Sequence, residues 1–207
     1  MILLYRYNSY IYKNYNGRGV SKIMSSLQKF HRRTNGGAPA VKLIGSEAPV
    51  AGSGYYLGLA GDGSSYMYVA PKSTEINAVA TTIWGSGNIS RNTFDVNNGL
   101  TNTNTLSSFG GTTASGHPAA YYAKNLTTGG YNTWYLPAKN ELTTMFSNKQ
   151  ATPFSTANSF IADSYWSSTE STASNAFRVD MSNGAASAAA KTHYLTAAVR
   201  AVRQAII

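Results

Sequence analysis

The chain contains no cysteine. That excludes disulfides, thiolate zinc sites, iron–sulfur clusters and cysteine nucleophiles. Charge is scarce too: 12% of residues are charged, about half the usual share. No run comes near the roughly 18 apolar residues of a membrane span, so no membrane partner is expected. The opening Met1-Ile2-Leu3-Leu4 is too short an apolar run for a signal peptide, which predicts that this chain is not classically secreted. Histidine is limited to His31, His117 and His193, with no His-x-x-x-His pair, so neither metal nor cofactor is expected.

What the chain has in quantity is Ser, Thr, Asn and Gly, which make up 82 of its 207 residues. Such a composition favours turns and strands over helix bundles. Fifteen tyrosines against seven phenylalanines suit β-faces and recognition surfaces, because tyrosine offers broad contact with a polar tip.

The net charge of +9 is concentrated at one end. Residues 1–42 hold eight Lys and Arg and no acid, so they carry +8 and leave +1 to residues 43–207. We read residues 1–45 as a basic, tyrosine-rich arm and residues 46–207 as the folded domain. Arg6, Lys13, Arg18, Lys22, Arg32 and Arg33 are the arm's candidate contacts. Its charges are dispersed, which places docking on a protein partner ahead of a solvated tail or nucleic-acid contact. Met24 inside the arm leaves the natural start open between Met1 and Met24.

Residues 54–60 and 65–70, joined by Gly61-Asp62-Gly63, read as a β-hairpin. Residues 85–116, rich in Gly, Ser, Asn and Thr, read as a long loop rather than a core element. Pro118 and Pro137 each open a short helix. Residues 164–169 and 177–181 read as strands, with Asn183-Gly184 as a hairpin turn, and residues 196–203 alternate again. The plan is α+β, with terminal strands placed to pair.

Three blocks then align. They are Trp134, Leu136, Pro137, Glu141 and Leu142; residues 165–170, reading Tyr-Trp-Ser-Ser-Thr-Glu; and Val199, Arg200, Val202 and Arg203. Their order and spacing resemble the C-terminal domain of Legionella collagen-like proteins. The resemblance implies a C-type-lectin-like fold, with two helices packed on twisted antiparallel sheets and long polar loops. Residues 63–73 and 117–120 are similar to modules of bacteriophage tail and virion proteins. A fold of this kind hosts many functions. The calcium motifs of sugar-binding members, Glu-Pro-Asn and Trp-Asn-Asp, are absent, and so is the cysteine used by formylglycine-generating relatives.

Read from the residues, Trp134 and Trp166 are core anchors, and Leu136 and Leu142 are core by spacing. Glu141, early in its helix, suits the helix dipole, with Arg200 or Arg203 as a candidate partner. No catalytic constellation converges, although Glu170 and Asp180 form the conceivable carboxylate pair. A glycan would be held by stacking and neutral hydrogen bonds. The candidate ligand residues are Trp84, Asn98, Asn102 and Asn104 in the polar loop, and Ser168, Glu170 and Asn175 near the second strand pair. The expectation is a non-enzymatic bacteriophage virion protein of the tail, a fibre or the capsid surface. Its arm docks on other virion proteins and its domain faces a host glycan or protein. The alternatives are a bacterial surface or secreted adhesin and a nucleic-acid-associated protein. Homo-oligomers are left open, since no coiled-coil pattern is present.

Overall fold

The computed structural model describes residues 2–6, 9–13, 42–76, 83–109, 116–151, 154–192 and 197–206. The chain divides into two compact units, Met1–Val41 and Lys42–Ile207. In the first unit, β1 (Ile2–Arg6) and β2 (Ser9–Lys13) form an antiparallel hairpin with Tyr5 opposite Tyr10. Arg6 and Lys13 lie on these strands. Arg18, Lys22, Arg32 and Arg33 lie outside the described residues.

The second unit begins a few residues before the expected boundary, because the backbone there already pairs with a strand. The Gly45 N–H donates to the Tyr56 carbonyl (2.7 Å), and the Tyr56 N–H donates to the Ser46 carbonyl (2.8 Å). The strand so covered is β3 (Tyr55–Leu59), which pairs with β4 (Ser65–Val69). Asp62 closes their turn by accepting the N–H groups of Ser64 (2.9 Å) and Ser65 (3.1 Å). The other side of β4 pairs with β8 (Val202–Ile206), so the two ends of the unit share one sheet, ordered β3-β4-β8. A second antiparallel sheet holds β5 (Ser164–Glu170), β6 (Asn175–Asp180) and β7 (Ala186–Ala190) in sequence order. The turn from β6 to β7 passes through Asn183-Gly184, with Gly184 at φ 81°.

Three helices stand among the described residues of a mixed α/β unit: α1 (Gly99–Ser108), α2 (Pro118–Asn125) and α3 (Lys139–Asn148). Pro118 opens α2, where its missing N–H costs nothing. One core joins Leu57, Met67, Val69, Leu142, Met145, Tyr165, Val179 and Val202. A second joins Trp84, Leu106, the α2 alanines 119, 120 and 123, Trp134, Leu136, Trp166 and Val199, and a small third joins Ala48, Tyr56 and Tyr68.

α1 corrects the expectation of an unbroken loop over residues 85–116. Its Thr/Asn sequence has weak helix propensity and almost no apolar periodicity. It forms because Asn98 caps its start, accepting the Thr101 N–H at 2.9 Å, and because Leu106 is buried in the second core.

The arginines near the C-terminus also pair differently from the expectation. Glu141 meets neither of them. It accepts the Tyr135 hydroxyl (2.9 Å) and reaches back to the Ala138 N–H (2.8 Å) at the start of α3. Arg200 is buried against Glu75, with its Nη1 at 3.4 Å, and donates to the carbonyls of Ala70 (3.0 Å), Asn158 (3.0 Å) and Ser159 (3.1 Å). Arg203 donates to the Ser53 carbonyl (2.8 Å) and stacks on Tyr131, 3.9 Å from the ring centre, and on Tyr68, at 4.4 Å. Glu141 is committed to Tyr135 and the start of α3, and the arginines take partners from residues 53, 68–75, 131 and 158–159 instead.

Candidate functional site

The most concentrated polar chemistry lies where β5 ends. Glu170 and Lys191 form an ion pair whose side chains are both fully buried. Lys191 has three protons to place, and three acceptors take them: Glu170 Oε1, the Ala173 carbonyl (2.8 Å) and the Ile89 carbonyl (3.1 Å). Its ammonium also stands 4.8 Å from the centre of the Trp84 ring. Glu170 in turn accepts the N–H of Arg91 (2.8 Å), the N–H of Thr93 (3.0 Å) and the Ser90 hydroxyl (3.3 Å). Burial alone would raise its pKa. The donors from Lys191, Thr93 and Arg91 outweigh burial and hold it below the ordinary carboxylate value.

This pair is the anchor of residues 83–98, a segment without helix or strand. Trp84 pins one end, its ring fully buried and its Nε1 donating to the Ser167 carbonyl (2.6 Å). Arg91 pins the middle, its Nε donating to Nε2 of His117 (3.1 Å). His117 packs edge-on against Trp84, with ring centres 5.2 Å apart. Burial first, then the positive charges of Arg91 and Lys191, lower its pKa to about 4, so the imidazole is neutral and free to accept. Gly85 lies against it: a Cβ there would come within 2.7 Å of His117 Nδ1.

The exposed side of the segment carries polar residues and two large apolar ones, Ile89 and Phe94, and Phe109 is exposed at the end of α1. Ile89, Phe94 and Phe109 are 60%, 48% and 41% accessible. The Arg91 guanidinium lies 4.7 Å from the Phe109 ring centre. Among the described residues no three His, Asp or Glu side chains gather as a metal site would require.

A sequence model of the Lcl C-terminal domain matches residues 79–203, more than half of the chain. The chain belongs to this family. No curated protein matches it. The matched stretch contains the Glu170–Lys191 pair, the segment it anchors and all three helices.

Within this Lcl-type domain most of the ligand residues expected from sequence turn inward. Trp84, Ser168 and Glu170 are fully or almost fully buried, so none of them faces a ligand. Asn102 is buried as well, donating to the Asp95 carbonyl (2.6 Å) and to Ser168 Oγ (3.4 Å). Asn98 is the cap of α1. Asn175 begins β6, and its N–H donates to Thr172 Oγ1 (3.0 Å) in the preceding turn. Asn104 alone is exposed, holding Lys124 Nζ at 2.6 Å. Polarity was the cue for these residues, and buried polar groups that hold loops share it. Glu170 and Asp180 make no dyad. They sit at opposite ends of the β5–β6 pair, opposite Ala176 and Ser164, about 13 Å apart at the strand rise of β6. Trp134, Leu136, Pro137 and Trp166 are buried between the helices and the sheets. His31 and His193 lie outside the described residues.

Lys191, Arg91 and His117 carry the site, yet the sequence hardly marks them. The one available signal is scarcity: in a domain with so few charges, a lone Lys191 after an uncharged Ala/Ser strand needs a partner.

Proposed function

We propose that this chain is a non-enzymatic recognition module of C-type-lectin-like fold, displayed on a bacteriophage particle. The observation that carries the reading is the use made of polar chemistry at residues 83–98. The charges of Glu170 and Lys191 are buried and saturated, holding an irregular segment in place, while Ile89, Phe94, Phe109 and the face of Arg91 remain outside. Rigid framing of an exposed aromatic and apolar surface is what binding requires. Catalysis requires reactive groups that substrate can reach. The lectin-like reading is supported by β8 pairing with β4 at the two ends of the unit and by a long irregular segment beside the second sheet. The particle setting rests on the similarity of residues 63–73 and 117–120 to virion modules. In this reading residues 1–45 dock on other virion proteins, and the domain meets a host glycan or protein.

Mass spectrometry of purified particles tests the setting. A fixed stoichiometry against the major capsid protein is expected, and absence from clean particles sinks the virion role. Binding of the whole chain to host cells tests recognition. Phe94→Ala combined with Phe109→Ala is expected to abolish binding with an unchanged melting temperature. Unaltered binding by that variant moves the surface elsewhere.

A further inference from the structure

The geometry points to His117 as an acid-sensitive latch, whose protonation releases Arg91 and with it the middle of the 83–98 segment from the frame of the domain. The inference concerns how the segment is held and is independent of what its surface recognises.

Two kinds of contact hold the segment. Some are insensitive to protons in the acid range: Trp84 Nε1 to the Ser167 carbonyl, the Gly85 N–H to the Lys191 carbonyl (3.1 Å) and the Ser86 N–H to the Gly116 carbonyl (3.0 Å). Those lie at its first residues, and others hold its far part: the Glu170 N–H to the Thr93 carbonyl (2.8 Å), the Asn140 N–H to the Val96 carbonyl (2.8 Å) and Thr169 Oγ1 to the Asp95 carbonyl (2.9 Å). The middle, residues 89–93, is held by Glu170, by Lys191 and by His117. Arg91 Nε always carries its proton. The bond to His117 therefore exists only while Nε2 offers a lone pair. A proton from solvent on Nε2 turns that acceptor into a donor and leaves two N–H groups facing each other at about hydrogen-bond distance.

The charges around the ring make the effect one-sided. Facing His117 are Arg91 from the segment itself, Lys191 beyond β7, Glu170 at the end of β5 and the Trp84 ring. Glu170 is the only carboxylate among these groups, and it is already saturated by Lys191 and the backbone of residues 91 and 93. All eight acids of the chain are among the described residues, and Arg91 pairs with none of them. A charged His117 thus becomes a third cation beside one engaged anion. Movement of the segment is the available relief, because Lys191 is fully enclosed and Arg91 is only half-buried. His117 is lowered to about 4 and Glu170 is held below its ordinary value, so both change charge in acid, and a substitution at His117 separates their effects.

Hydrogen exchange of the full chain, followed by NMR from about pH 6 to about pH 3, tests the latch. Amide protection of Arg91 and Thr93 is expected to fall about tenfold per pH unit below the His117 midpoint, as the neutral imidazole is depleted. The Val179 and Val202 amides should keep theirs. His117→Gln, which keeps a neutral acceptor, should hold protection at Arg91 and Thr93 until Glu170 protonates. The latch is overturned if those two amides track Val179 and Val202 throughout, or if H117Q opens at the wild-type midpoint. Should H117Q not fold, titration of the His117 ring in the wild-type chain decides. Coincidence of ring and amide midpoints supports the latch, and separate midpoints refute it.

Discussion

At the scale of single residues, the buried Glu170–Lys191 pair dominates. Removing one partner strands the other without solvent, a loss of about 3–5 kcal/mol. Lys191→Ala and Glu170→Ala should each lower the urea midpoint by that order. The double variant should lose much less than the sum, because each single change strands the remaining partner's charge and the double change leaves neither. Equal, additive losses would mean the two charges do not depend on each other. Gly85→Ala should also destabilise, by about 1–3 kcal/mol, since its Cβ would press on His117 at 2.7 Å.

Glu141 and His117 set opposing pH dependences. Burial lifts Glu141 to about 7, against the weaker pull of the Ala138 N–H and the Tyr135 hydroxyl. The folded domain therefore keeps a proton that the unfolded chain has released. That contribution is complete below the unfolded value of 4.5 and is lost as pH rises through about 7, on the order of 3 kcal/mol in all. His117 acts in the other direction: its contribution is complete above 6.5 and is lost as pH falls through about 4. The two offset each other between 4.5 and 6.5, and only the Glu141 limb remains above that. Thermal melts should thus show the wild-type chain losing stability from about pH 6.5 to about pH 7.5. Glu141→Gln should stay flat over that range. A variant that declines like the wild type would place the titrating group elsewhere.

At the scale of elements, local sequence explains α2 and α3 well and α1 poorly. Pro118 and Pro137 announce two helix starts, and Leu142 and Met145 mark the inward side of α3. α1 offers only a cap and one large buried apolar side chain, Leu106. The cap should matter accordingly. Asn98→Ala is expected to cost about 1 kcal/mol, read from the shift in melting temperature. A neutral result would mean that packing on the second core suffices to hold α1. Hairpins were legible for a similar reason. Asp62 beside two glycines, and Asn183 beside Gly184, encode their turns within a few residues.

At the scale of the whole chain, the hydrophobic cores among the described residues lie in the second unit. Residues 42–207 expressed alone should therefore melt cooperatively within a few degrees of the full chain. A loss of cooperativity would show that the basic arm contributes to the fold. The contrast in charge between arm and domain was visible at once, because charge is additive along a sequence. What each unit contacts is not additive in that way.

The sequence by itself determined the strands β3 to β6, the hairpin turns, two of the three helices among the described residues and the family. Each of these depends on neighbours a few positions apart or on a spaced set of residue types. Only the tertiary structure decided the fate of Trp84, Asn102, Ser168 and Glu170, which the sequence offers equally as surface or interior. Their partners come from far along the chain: Trp84 meets residue 167, Glu170 meets 91 and 191, and Asn102 meets 168. Burial and protonation follow from those distant arrivals, because desolvation depends on everything packed around a group and not on its place in the sequence.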